Sequence, residues 1–147
     1  MKSVLYVEDN EQVSKYMAVA AAESLDLYAA DSVDAAQALL NCRGRFDVAI
    51  LDERMPGEHG HALLDTLDKR SIPTVFYTAY ADEEHTRGHI VYDKGQTTQT
   101  ELVALIESGE IESTIRMAKI DRLCRTAKSN TERIEQTATW LEQRAYG

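Results

Sequence analysis

The chain has 147 residues, 44% of them hydrophobic and 28% charged, with 16 Lys and Arg against 25 Asp and Glu for a formal net charge of −9. That length and apolar content fit one domain with a modest appendage, or one slightly large domain, with a packed core, and exclude a mainly disordered chain. The acidic balance, carried almost wholly by residues 1–109, argues against a role that needs attraction to nucleic acid or anionic lipid.

Val4-Leu5-Tyr6-Val7 is an apolar run that stops at Glu8-Asp9-Asn10, as a buried strand does at its carboxyl end. Asn10 can cap a helix on which Val13, Met17, Ala20 and Ala21 recur at helical spacing. Leu27-Tyr28-Ala29 reads as a second strand, and Ser32 as the cap of a helix with Ala35, Ala36, Leu39 and Leu40 inward, ending at Asn41-Cys42-Arg43-Gly44. Val48-Ala49-Ile50-Leu51 is a third strand, halted by Asp52; after Arg54-Met55-Pro56-Gly57 comes a helix holding Leu63, Leu64 and Leu67. Thr74-Val75-Phe76-Tyr77 forms a fourth strand that ends at Thr78, and Ile90-Val91-Tyr92 a weaker fifth before Asp93-Lys94-Gly95. Thr98-Gln99-Thr100-Glu101 has the form of a capping box opening a helix with Leu102, Val103, Leu105 and Ile106, which Gly109 closes.

Strand and helix alternate over residues 1–109, which predicts an α/β fold: a doubly wound, five-stranded parallel sheet with helices on both faces. Ligands of such sheets bind beyond the carboxyl ends of the strands. The residues there are Glu8, Asp9, Asp52, Thr78 and Lys94. Three carboxylates on one rim repel one another unless a cation lies among them, and hard oxygen ligands suit Mg²⁺. A hydroxyl and an ammonium beside them complete a set able to handle a phosphoryl group. Each residue alone has a plainer explanation, as a helix cap or a β former; five together at the correct strand ends do not.

VLYVEDN over Val4–Asn10, DERMPG over Asp52–Gly57, and Thr78-Ala79 after an apolar strand resemble the receiver domains of two-component response regulators, over about residues 1–109. The resemblance implies a flavodoxin/CheY-like fold with Asp52 as the phosphorylated residue, and Mg²⁺ held by Glu8, Asp9, Asp52 and the backbone carbonyl of Arg54. It makes Thr78 the hydroxyl, and Lys94 the ammonium, that meet the phosphoryl group. It further implies a sensor histidine kinase or phosphotransfer protein as donor, an unknown downstream protein as target, and a phosphorelay acceptor rather than a conventional enzyme. Arg54 and Tyr80, two residues beyond Asp52 and Thr78, occupy the positions that tune loss of the phosphoryl group in that family. Both are large, so a long-lived phosphorylated state is expected.

The sequence departs from the family in three places. Only fifteen residues separate Thr78 from Lys94, so the fourth helix should be short or missing, with at most two turns around Asp82–Arg87. Gly95 stands where the family has a proline after a cis bond, so either the backbone turns differently or Lys94 is not the equivalent lysine. Val91 replaces the usual aromatic residue of the switch, with Tyr92 beside it on the other face of the strand.

Residues 110–147 contain no Pro, and no Gly before the last residue, which predicts a helical extension to the 1–109 receiver domain. Met117, Ile120, Cys124, Ala127, Thr131, Ile134, Ala138, Leu141 and Ala145 alternate by three and four, a heptad seam suited to a homodimer. Ser129-Asn130-Thr131-Glu132 also has capping-box form, and a break there would give a hairpin folding back on the receiver. Arg116, Lys119, Arg122, Arg125 and Lys128 spiral around the helix and read as a solvated surface. The extension is too short for a winged-helix DNA-binding output.

No apolar run approaches the ~18–20 residues of a membrane span, the amino-terminus lacks a signal-peptide pattern, and Cys42 and Cys124 lie in no pairing motif, so a cytoplasmic protein with reduced thiols is expected. His59, His61, His85 and His89 lack a zinc framework. Besides the phosphoacceptor reading, two alternatives remain: a relict receiver acting as a phospho-independent binding and dimerisation module, and a haloacid-dehalogenase-type phosphatase. The latter needs an Asp where Arg54 stands.

Overall fold

The computed structural model describes residues 1–52, 58–79 and 88–146, with residues 58–60 and 137–146 described by their backbone alone. The chain divides into two compact units, Met1–Glu112 and Ser113–Gly147.

In the first unit the elements run β1 (Lys2–Val7), α1 (Glu11–Ala21), β2 (Leu25–Ala30), α2 (Val33–Arg43), β3 (Val48–Leu51), α3 (Glu58–Lys69), β4 (Thr74–Thr78), β5 (Ile90–Asp93) and α4 (Gln99–Ser108). All strands are parallel, in the order β2-β1-β3-β4-β5. That order explains the sequence pattern. The three inner strands are covered on both faces and read as unbroken apolar runs, whereas the edge strands β2 and β5 carry exposed positions.

Side chains alternate across the sheet. Leu5, Val7, Ala49, Leu51 and Phe76 share one core with Leu40, Leu63 and Leu67, where α2 packs against α3. The opposite parity, with Tyr6 and Ile50, belongs to the face of α1 and α4, whose Met17, Ala21, Leu102 and Ile106 are buried. The predicted caps form: Asn10 Oδ1 accepts from the Gln12 and Val13 N–H groups, Ser32 Oγ from Ala35 N–H, and Thr98 Oγ1 from Glu101 N–H. Gly109, at φ 83°, adopts the left-handed conformation that closes α4. The Lys2 ammonium donates to the Ile106 carbonyl at 2.9 Å and pairs with Glu112 at 3.1 Å, placing a cation on the orphan carbonyls of the last turn of α4.

One detail differs from the sequence reading: β2 begins at Leu25 rather than Leu27, because Leu25 is itself buried opposite Lys2 in the β1 ladder. The expected helical extension forms as one continuous helix, α5 (Glu110–Tyr146), without the alternative break at Ser129–Glu132. Inside it the Thr131 hydroxyl donates to the Ala127 carbonyl at 3.0 Å, the bond a mid-helix threonine makes, so the apparent capping box is no helix start. The two-turn helix expected around Asp82–Arg87 lies outside the described residues; among these no helix stands between β4 and β5.

Leu40 is fully buried and Val19 is 78% exposed. Leu40→Ala should cost about 2–5 kcal/mol in urea unfolding. Val19→Ala should stay within about 0.5 kcal/mol.

Candidate functional site

β1 and β3 are hydrogen-bonded neighbours, with Val7 opposite Leu51. The residues that follow them, Glu8 and Asp52, therefore leave the sheet at the same height. Each backbone is held there by one more ladder bond, from Glu8 N–H to the Ala30 carbonyl at 2.9 Å and from Asp52 N–H to the Val7 carbonyl at 3.0 Å. Asp9 comes next in the chain. One carboxylate oxygen from each of Glu8, Asp9 and Asp52 lies within 4.8 Å of the others, Glu8 and Asp52 buried and Asp9 exposed.

A fourth side chain arrives from the far side of the sheet. Lys94 N–H donates to the Thr78 carbonyl at 2.9 Å, extending the β4–β5 ladder by one step. Its ammonium donates to Glu8 Oε2 at 2.8 Å and stands 3.6 Å from Asp52 Oδ2. β4 and β3 lie between β5 and β1, so only a long flexible cation makes this reach. On the way the ammonium lies 5.7 Å from the centre of the Tyr77 ring. Asn10 N–H supplies a further donor to Glu8 Oε1 at 3.2 Å.

After β5 the chain turns at Lys94–Gly95. No described peptide bond is cis. The turn closes on Asp93, whose carboxylate accepts from Gly95 N–H at 2.6 Å and whose carbonyl accepts from the Gln96 and Thr97 N–H groups. A Cβ on residue 95 would stand 3.1 Å from that carboxylate oxygen, so glycine suits the turn. Val91 packs against the α2/α3 core, and Tyr92 lies opposite Tyr77 on the other parity.

The electrostatics follow from this crowding. Burial raises the Glu8 carboxyl above its ordinary value; the Lys94 hydrogen bond opposes the rise and the Asp52 charge adds to it. Burial, reinforced by the Glu8 charge, also pushes the Tyr6 hydroxyl well above the usual tyrosine range. That hydroxyl is buried without a hydrogen-bond partner among the described residues. The Tyr77 hydroxyl, likewise raised by burial, donates to the Thr97 carbonyl at 2.7 Å.

The structure thus brings Glu8, Asp9, Asp52 and Lys94 together and sets Thr78, fully buried, at the end of β4 beside them through its carbonyl. Arg54 and Tyr80 lie outside the described residues. Sequence reasoning missed Tyr6 and Tyr77; the signal was present, since Tyr6 lies two residues before Glu8 and therefore shares its side of the strand. An open cleft of about 580 Å³ borders Glu8 and Asp9 and continues past Ser14 and Lys15 to Asp31.

The response regulator receiver domain matches residues 4–95 of the chain. No curated protein matches it closely enough to count as a relative. Among solved structures, the chain is similar to a receiver domain protein from Clostridium thermocellum, at 17% identity and a TM-score of 0.61 over 82% of this chain and 98% of that one. It is also similar to a CheY-like receiver domain protein from Methanospirillum hungatei, at 19% identity and a TM-score of 0.63 over 78% and 98%. The receiver domain of the hybrid histidine kinase CckA is similar at 23% identity and a TM-score of 0.58 over 72% and 96%. These likenesses establish a shared fold. Because the matched residues make up well over half of the chain and span all five strands, the chain belongs to the response regulator receiver domain family.

Proposed function

We propose that this receiver domain accepts a phosphoryl group on Asp52 from a phosphohistidine of a sensor histidine kinase or phosphotransfer protein, and signals through protein contacts. The observation that carries the reading is the gathering of Glu8, Asp9 and Asp52 within 4.8 Å, with the Lys94 ammonium against two of them. Three hard oxygen donors beside one ammonium fit a divalent cation. Glu8, Asp9, Asp52 and the Arg54 backbone carbonyl would hold Mg²⁺, which when bound neutralises charge on the acceptor and phosphoryl oxygens.

The rest of the chemistry belongs to the chain. An Asp52 carboxylate oxygen attacks phosphorus in line; the new O–P bond forms as the P–N bond of phosphohistidine breaks, and the imidazole nitrogen leaves with the electron pair. The Lys94 ammonium offsets charge on the transferred oxygens, and the Thr78 hydroxyl donates to one of them. Water later attacks the same phosphorus, releasing inorganic phosphate and restoring the Asp52 carboxylate. Catalysis is positioning and charge neutralisation, which makes the domain a phosphorelay acceptor rather than a turnover enzyme. In the similar CckA structure the receiver is part of a hybrid histidine kinase, which supports a histidine kinase as donor. An acidic surface and the lack, among the described residues, of a helix long and apolar enough to cross a membrane support protein partners and a cytoplasmic setting over nucleic acid or lipid.

Incubation with Mg²⁺ and acetyl phosphate should add the mass of one phosphoryl group, lost in Asp52→Asn and on chelation. Lys94→Ala should slow the gain on the order of 10²-fold. Failure with both acetyl phosphate and beryllofluoride would sink this reading in favour of the relict binding module. Arg54→Ala combined with Tyr80→Ala should lose phosphoryl faster than wild type, because two large side chains no longer shield it from water; equal rates count against that tuning role.

Glu8 gives a pH dependence. Its carboxyl is raised from 4.5 in the folded state, so its stabilising proton is fully present below that value and is lost as pH rises through the raised one. In chelator, Glu8→Gln should therefore melt progressively higher than wild type as pH is raised across this window, and added Mg²⁺ should favour wild type. A melting difference that stays constant with pH would contradict the assignment.

A further inference from the structure

From Arg116 to Gln136 every side chain of α5 is exposed. Met117 is 66%, Ile120 50% and Ile134 70% exposed, and all three lie on the heptad seam. A long helix gains most of its stability by burying an apolar face, so this face calls for a cover. The charges beside the seam say which cover fits. One flank carries Arg116, Leu123 and Asn130 and the other Asp121, Lys128 and Glu135, continued at the heptad positions of Glu142 and Arg144.

In a parallel, in-register pair each residue of the first flank meets the residue five places on in the second copy. Arg116 then faces Asp121, the Lys128 stem covers Leu123, and Asn130 faces Glu135, with no like charges opposed. In an antiparallel pair each flank meets its own kind. Asp121 then faces Glu135 or Glu142, according to the alignment, and acid meets acid. Asp121 Oδ2 already holds Arg125 of its own helix at 2.7 Å, an exposed pair that leaves Oδ1 for the flank.

We infer that α5 pairs with a second copy of this chain as a parallel, in-register coiled coil through the seam from Met117 to Ala145. The pairing is independent of the phosphoacceptor reading, and testing it needs no phosphodonor. Its register has a built-in reporter. Cys124 lies on the seam, so parallel pairing sets the two Cys124 thiols face to face across the axis, while antiparallel pairing sets each against Ile134 or Leu141. The other cysteine, Cys42, is exposed on α2 and is removed by Cys42→Ser.

In the full chain carrying Cys42→Ser, the oxidant diamide should take two electrons and two protons from a pair of Cys124 thiols and give a disulfide-linked dimer. A control with Cys42→Ser, Cys124→Ser and Lys119→Cys, its thiol on the outer face of the same helix, should cross-link at least tenfold more slowly. Sedimentation equilibrium of the reduced wild type should show a monomer–dimer equilibrium. Ile120→Glu with Ile134→Glu should raise its dissociation constant at least tenfold while leaving the thermal transition of the receiver unit in place, since both positions are exposed. A chain that is monomeric at all concentrations overturns the proposal, as it would if the helix folds back or serves another partner. So does Cys124 cross-linking no faster than the control, which would indicate antiparallel or collisional contact, and so does a dimer indifferent to the two glutamates.

Discussion

Repulsion among the Glu8, Asp9 and Asp52 carboxylates is the constraint on which the rest of the structure turns. At 4.8 Å, two like charges in a partly shielded protein setting oppose each other by roughly 3 kcal/mol. The backbone enforces this crowding, because the hydrogen bonds of the β1–β3 ladder decide where Glu8 and Asp52 emerge. The sheet is stabilised by its apolar core and carries the acidic rim as a consequence. Relief comes from a distance, through Lys94, and is partial: its ammonium serves two of the three carboxylates, and burial, with the Asp52 charge adding to it, still holds the Glu8 carboxyl raised. Three oxygen donors crowded in this way suit a cation.

This dependence explains the form of the turn after β5. Lys94 reaches Glu8 only if its backbone stays hydrogen-bonded to Thr78 at the end of the sheet and the chain then bends away sharply. Asp93 makes the bend by accepting three N–H groups with its carboxylate and carbonyl, and Gly95 leaves room for it. The lysine stands on the rim with a glycine directly after it. On the β5 side Val91 packs against the α2/α3 core, while Tyr92 and Tyr77 line the opposite parity, Tyr77 tied to the loop at Thr97.

Most of this was legible in the sequence, for identifiable reasons. Central strands of a parallel sheet must be apolar on both faces, so Val4–Val7 and Val48–Leu51 announced themselves, and the acids that ended them marked the acidic rim. Asn10, Ser32 and Thr98 are read directly, because a cap is a local bond. The start of β2 was less visible, since an edge strand mixes Leu25 with exposed Asp26 and its true partner is Lys2, far away in sequence. Ser129–Glu132 left two readings open for the opposite reason: a capping-box pattern also occurs inside a helix, and here the residues on both sides favour helix and the hydroxyl of Thr131 is satisfied within it. The Lys94–Glu8 pair joins the ends of β5 and β1 past the two strands between them, a contact that no short window of sequence contains.

The heptad seam shows the same limit from another direction. Its period was readable, but period alone does not choose between a hairpin, an antiparallel pair and a parallel one. The continuous helix removes the hairpin, and the flanking charges separate the other two, because like charges oppose each other only when the helices run in opposite directions. The seam's content then sets the strength of such a pairing. Ile120, Ile134 and Leu141 alternate with Cys124, Ala127, Thr131 and Ala138, which bury little apolar area, and Thr131 keeps its hydroxyl bonded within its own helix. A core of this kind associates weakly and reversibly. Weak association is the regime in which a modest change in free energy shifts the population between one copy and two, whereas a seam of leucines throughout would hold the pair closed.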